Sequence, residues 1–157
     1  MDKNKIIDRT KLRDIISGFK SQGKKTVFTN GCFDIIHIGH IRYLRQAKKL
    51  GNILVIGLNT DASVSKIKPG RPVISEQQRA EVLSALEMVD YITLFDEDTP
   101  YQLIKEIKPD ILVKGGDWRK EDIVGRDIVN EVHTIPFVQG ISTGKIINKI
   151  KKSQIKI

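Results

Sequence analysis

The sequence predicts an α/β fold: an open, doubly wound sheet of five parallel strands in a single domain. Three observations carry that reading. Apolar runs of strand length alternate with helix-like stretches along most of the chain, with no internal repeat and no second zone of composition. The run Ile53-Leu54-Val55-Ile56-Gly57-Leu58 is apolar throughout, as suits a parallel strand covered on both faces. Two glycine turns, at Gly31 and Gly115, follow the first and fourth strands. In the usual doubly wound order those strands are neighbours at the switch point, where ligands bind at the carboxyl ends. Gly31 and Gly115 then stand on opposite walls of one crevice.

Taken in order, Thr10 is a plausible N-cap for a first helix, with Leu12, Ile15, Ile16 and Phe19 at helical spacing and Gly23 as its stop. Strand one covers about 26–29. The next helix runs to Leu50, with Ile41, Leu44 and Ala47 inward, and Gly51 ends it. Strand two is the apolar run from Ile53. From 59 to 72 the chain turns polar, and Lys66, Lys68 and Arg71 beside Pro69, Gly70 and Pro72 predict a mobile basic loop. Ser75 and Gln78 form a capping-box pattern opening a helix with Ala80, Leu83 and Leu86 buried. Strand three spans 91–95, and Thr99 and Pro100 start another helix as cap and first position.

Strand four, 110–114, runs into the second glycine turn. A weaker helix over 121–132 leads to a fifth strand near 134–138. Ser142 caps a last helix with Ile146, Ile147 and Ile150 inward. Residues 1–24 are thus an N-terminal helix packed on the domain, 25–150 the domain itself, and 151–157 a basic tail that frays or is disordered.

At 157 residues one domain with a genuine core is the simplest division. The net charge of +8 admits nucleic acid, membranes or small polyanions as partners. Aromatics are 6% and do not interleave with the lysines at either end, which favours small phosphorylated ligands over nucleic acid. The single cysteine, Cys32, excludes an intramolecular disulfide. No long apolar run or signal-like N-terminus appears, so a cytoplasmic protein without membrane attachment is expected.

The stretch Phe28-Thr29-Asn30-Gly31-Cys32-Phe33-Asp34-Ile35-Ile36-His37-Ile38-Gly39-His40 runs from a strand through a tight turn into a helix. Helix N-termini hold anions through unpaired N–H groups and the macrodipole. His37 and His40, three apart, share one helix face, and Gly39 lets phosphate oxygens approach the backbone. The arrangement predicts a triphosphate site. A zinc site from His37, His40 and Cys32 is the competing metal reading. It would close the turn that needs open phosphate access, and no protein metal cage is expected. His133 lies late in the chain and is read as unrelated.

Three ordered motifs, His37-Ile38-Gly39-His40, Lys114-Gly115-Gly116-Asp117-Trp118 and Gly140-Ile141-Ser142-Thr143, resemble the cytidylyltransferase-like nucleotidyltransferases, over residues 25 to 150. The resemblance implies a Rossmann-like sheet. Within that superfamily, Gly70-Arg71-Pro72-Val73, Glu76-Gln77-Gln78-Arg79 and Phe95-Asp96-Glu97-Asp98-Thr99-Pro100 most resemble the adenylyltransferase of ADP-heptose synthesis, in its form without the sugar kinase. The implied reaction transfers AMP from ATP to D-glycero-β-D-manno-heptose 1-phosphate, giving ADP-heptose and pyrophosphate. No covalent enzyme intermediate is needed, so the protein's work is positioning and charge stabilisation.

The same resemblance implies the site. Asn30, Gly31, Cys32 and Phe33 wrap the phosphates chiefly through backbone, and His37 and His40 stabilise charge on the α phosphate and the leaving pyrophosphate. Asp34 orders the turn or orients the sugar phosphate. Lys66 reaches the bridging oxygens from the loop, with Lys68 the weaker candidate, and Arg79 holds the triphosphate or the sugar phosphate. Lys114 and Gly115 belong to the facing turn, where Asp117 and Trp118 form the nucleoside side. Ser142 and Thr143 hold the outer phosphates. The chain departs from the family at Gly144, where a second threonine is usual; one hydroxyl is lost there, and Lys145 is a candidate to compensate.

Magnesium is implied by the nucleotide and binds through phosphate oxygens. A homodimer is implied by what is common in the family. Glycerol 3-phosphate with CTP is the nearest alternative pair of substrates, and an RNA-associated binding module is the reading from another class.

Overall fold

The computed structural model describes residues 4–153. The basic-tail expectation for 154–157 therefore lies outside the described residues. Five parallel strands form one sheet in the order β3-β2-β1-β4-β5, with β1 at Thr26–Gly31, β2 at Ile53–Asn59, β3 at Tyr91–Phe95, β4 at Ile111–Gly115 and β5 at Glu131–Ile135. Strands one and four are neighbours, as expected, and the fold is Rossmann-like.

Helices cover both faces, which is why β2 is apolar along its length. One core layer packs Leu44 and Ala47 of α2 (Ile38–Lys48) and Ala80 and Leu83 of α4 (Glu76–Ser84) on Val27, Leu54, Ile56 and Ile111. The other packs Leu12 and Ile16 of α1 (Arg9–Ser21) and Leu103, Ile104 and Ile107 of α5 (Tyr101–Ile107) on Phe28, Val55 and Leu112. Among the described residues no helix is long and apolar enough to cross a membrane.

Several boundaries depart from expectation for identifiable reasons. The first helix starts two residues early because Asp8, rather than Thr10, caps it, accepting the Lys11 N–H at 2.9 Å. Pro100 stands at the N-cap of α5, and Thr99 precedes it. Ser75 caps α4 without a side-chain bond; the Glu76 carboxylate instead accepts the Asp61 N–H at 2.6 Å. The expected basic loop contains a short helix, α3 (Asp61–Ile67), capped by Thr60, whose hydroxyl accepts the Ser63 N–H.

The helix expected over 121–132 is absent. In its place are a 3-10 turn at Lys120–Asp122 and the strand β5, three residues earlier than expected. Gly125 explains the break: its φ is +87°, and a Cβ there would stand 2.7 Å from Ile104 Cδ1. The expected strand 134–138 would also have put Pro136, which has no N–H, in mid-strand. The last helix, α6 (Thr143–Lys152), begins as expected after Ser142. Ile146 and Ile147 are half-buried, but Ile150 faces outward at 57% exposure, against the inward expectation.

Candidate active site

The ladder between β1 and β4 joins Val27 to Ile111 and Phe28 to Leu112. Farther along, a side chain spans the two strands. Tyr43, on α2, donates its hydroxyl to the Val113 carbonyl at 3.1 Å and meets Thr29 Oγ1 at 2.6 Å. A phenol has one proton, so Thr29 is the donor in the second bond. Burial pushes the Tyr43 phenol up to about 12, with the Thr29 bond pulling weakly the other way, and Tyr43 stays protonated. Sequence spacing marked Tyr43 as neither core nor site.

The two histidines stand at the N-terminus of α2, where His37 is the N-cap. Its Nδ1 accepts the Gly39 N–H at 3.1 Å, while His40 Nδ1 accepts the His37 N–H at 3.3 Å. Their ring centroids lie 3.9 Å apart, with the planes tilted by 32°. A nitrogen that accepts a backbone N–H carries no proton, so in each neutral ring the proton sits on Nε2. Burial lowers the pKa of both. His40 falls to about 4, through burial first and then the nearby His37 and Lys68. The pair therefore offers two Nε2–H donors at neutral pH without carrying charge. Gly39 has a further reason to be glycine: a Cβ there would lie 2.9 Å from the His37 ring, which must fold back to cap the helix.

Phe33 takes a left-handed φ of 45°, a conformation uncommon for a bulky residue. Its ring tilts against His40 at 5.4 Å and fills the space a side chain at Gly31 would need, 3.0 Å from that Cβ position. Asn30 and Gly31 end β1, and Cys32 is half-buried beyond them.

Two expected ligand contacts take another form. Arg79 was expected to hold phosphates, but it is 1% exposed. Its Nε donates to the Ile74 carbonyl, one terminal nitrogen to the Cys32 carbonyl and the other to Asp61 at 2.7 Å. This guanidinium is a clamp beneath the turn after β1, joining it to α3 and to the segment before α4. Asp34 is 2% exposed and accepts from the backbone N–H groups of Val73 and Ile74 and from Arg71 Nε. Burial alone would raise its pKa, but these donors outweigh it and the net shift is downward. Asp34 thus serves the ordering half of its expected role, and it fastens residues 71–74 to the motif.

Of the two loop lysines, Lys66 lies exposed on α3, and Lys68 is the C-cap that follows. Lys68 is close enough to disfavour protonation of His40. On the facing strand, burial lowers the Lys114 pKa, partly offset by Cys32 across the crevice. The Lys114 ammonium sits 5.5 Å from the Trp118 ring centroid. Trp118 is half exposed, not core, and Asp117 is exposed; with Arg119 and Asp122 they line an open hollow.

Ser142 caps α6 by accepting the Lys145 N–H at 3.2 Å, and Thr143 donates to the Ile35 carbonyl at 3.3 Å. The Thr143 bond ties the start of α6 to the histidine loop. His133 stands apart, pairing with Glu131 at 3.2 Å on the edge strand. Among the described residues no group of three or more His, Cys, Asp or Glu side chains converges. The donors around the crevice are N–H groups and ammonium groups, a set that suits phosphate oxygens rather than a cation.

The bifunctional protein HldE of Wolinella succinogenes is 51% identical over 150 residues, covering 95% of this chain and 32% of that protein. The protein of the same name from Campylobacter jejuni subsp. doylei is 56% identical over 139 residues, covering 88% of this chain and 30% of the relative. The chain therefore spans about a third of the length of these curated relatives. Among solved structures, a lipopolysaccharide core biosynthesis protein from Thermoplasma volcanium superposes with a TM-score of 0.65 at 32% identity, covering 74% of this chain and all (100%) of that one. A pantoate-β-alanine ligase from Francisella tularensis, at 16% identity and a TM-score of 0.58, covers 92% of this chain and 77% of its own; it shares the fold. Residues 28–156 match the cytidylyltransferase-like family, and the chain belongs to it.

Proposed function

We propose that the chain transfers AMP from ATP to D-glycero-β-D-manno-heptose 1-phosphate, releasing pyrophosphate and ADP-heptose. The observation that carries the chemistry is the histidine pair, whose Nδ1 atoms are committed to backbone N–H groups so that both Nε2–H groups remain as neutral donors. The choice of substrates rests on the resemblance of 70–73, 76–79 and 95–100 to the ADP-heptose adenylyltransferase and on the similarity to the HldE proteins.

In this reading a phosphate oxygen of the sugar phosphate attacks the α phosphorus of ATP. The bond from that phosphorus to the α–β bridging oxygen breaks, and pyrophosphate leaves. His37 and His40 donate to oxygens on which charge builds, and Lys68 and Lys114 offset the charge from the two sides of the crevice. The backbone of residues 30–33 and the N-terminus of α6 at Ser142 and Thr143 hold the phosphates. Asp117 and Trp118 flank the nucleoside, Lys66 is an outer electrostatic contact, and Asp34 and Arg79 position the loops that the substrates meet.

Magnesium bound to the triphosphate would neutralise part of its charge. The donor set described above fits that arrangement, since it supplies partners for phosphate and leaves the ion to phosphate and water. The working form in this reading is a cytoplasmic homodimer, with 25–150 as the catalytic domain and no nucleic-acid partner.

The deciding experiment is pyrophosphate release by the purified chain with ATP or CTP, each paired with heptose 1-phosphate or glycerol 3-phosphate. Release that needs ATP and heptose 1-phosphate together supports the reading. Equal or better activity with CTP and glycerol 3-phosphate overturns it.

A further inference from the structure

Phe137 is the most exposed large apolar side chain among the described residues, at 74%. It does not hang free. Five of its six ring carbons lie within 3.7 Å of the positions that Cβ atoms on Gly115 and Gly116 would occupy, the nearest at 2.4 Å. The ring therefore lies across the second glycine turn, which can accept it only because both residues are glycine. Gly116 also holds a φ of +95°, so a side chain there would be strained as well as crowded.

The turn places this ring at the carboxyl end of β4, beside the switch point. The Cβ direction of Gly115 is bracketed by Phe137 at 3.1 Å and Tyr43 at 3.4 Å. Tyr43 is one helical turn beyond His40 on α2. Phe137 thus lies over the turn that leaves β4, the stretch between Lys114 and Trp118 in sequence. A ring supported beneath by glycine backbone and open above is a preorganised stacking surface, with little freedom left to lose when a flat ligand settles on it.

We propose that the exposed face of Phe137 is the platform on which the nucleotide base stacks, and that it contributes to the preference for a purine over the smaller pyrimidine. The proposal rests on the nucleotidyltransferase reading for its ligand and adds a residue that sequence reasoning passed over. Stacking carries no hydrogen-bond code, so Phe137 sets how strongly a base is held, and it favours the larger ring system.

The test separates base from phosphate by calorimetric binding of ATP, CTP and inorganic tripolyphosphate, each with magnesium, to the full chain. For Phe137→Ala we expect ATP affinity to fall about tenfold and CTP affinity to fall less, with tripolyphosphate unchanged. Phe137→Trp should hold or tighten ATP, whereas Phe137→Leu, which keeps apolar bulk without an aromatic face, should weaken it. Unchanged ATP affinity in the Ala and Leu variants overturns the proposal, as does equal loss of ATP and tripolyphosphate. A change in sedimentation without a change in ATP affinity also overturns it, because the ring would then serve a subunit contact. If the wild type binds ATP but forms no ADP-heptose, the substrate reading fails and the stacking result still stands.

Discussion

The His37 N–H donates to His40 Nδ1 at 3.3 Å, so the second histidine of the motif caps the residue that the first occupies. Each ring is held by the backbone at one nitrogen and left with a donor at the other. Removing His40 should therefore cost chemistry more than fold. His40→Ala should lower turnover by at least about 100-fold, the scale of losing one preorganised donor, while the thermal midpoint drops only by the loss of a cap. Near-normal turnover with a folded variant would remove His40 from the mechanism.

The same geometry makes a prediction about pH. His40 is harder to protonate in the fold than in the unfolded chain, its pKa being lowered from 6.5 to about 4 chiefly by burial. Between those values the unfolded state binds more protons, so stability falls as pH falls through that window and is fully present above it. Urea midpoints from pH 7.5 down to pH 4 should drop more steeply for the wild type than for His40→Gln. Parallel curves would mean that His40 is not held neutral by its surroundings.

The buried arginine gives a way to tell a clamp from a ligand. Arg79 donates to the Cys32 and Ile74 carbonyls and to Asp61, and it is sealed from the crevice. Arg79→Lys keeps one positive charge but cannot reach three acceptors in different directions. It should cost about 3 kcal/mol of stability, from buried carbonyls left unpaired. A phosphate ligand would behave differently: KM for ATP would rise and the thermal midpoint would hardly move. The two measurements together decide between the roles.

This contrast also shows where the sequence was readable. The strands, the two glycine turns and the histidine helix could be read because each depends on a local signal: an apolar run, a glycine, or two side chains on one helix face; the switch point followed from the usual doubly wound order. Arg79, Asp34 and Tyr43 act across 47, 39 and 14 positions of chain, respectively. Nothing in a residue's immediate neighbours distinguishes a buried clamp from a phosphate ligand, since both are an arginine near a helix start. Phe137 was missed for a related reason: an aromatic residue beside Pro136 looks like strand core until the glycine turn beneath it is in place. Helix α3 escaped because two buried residues, Ser63 and Val64, are too few to make a period.

Gly144 stands where the family usually carries a threonine. It is the second residue of α6, next to Thr143, and a Cβ there would meet nothing nearer than Ser142 Oγ at 3.9 Å. Its backbone is helical, so a side chain can be added without strain. Gly144→Thr should raise stability by about 0.3 kcal/mol, the propensity difference between the two residues. It also places a hydroxyl beside the N–H groups at the start of α6. If that terminus holds the outer phosphates, tripolyphosphate and ATP should both bind a few fold more tightly and by similar factors. Unchanged binding of both in a variant that is at least as stable would take the start of α6 out of the phosphate site, leaving Ser142 as a helix cap and Thr143 as the fastening between the last helix and the histidine loop.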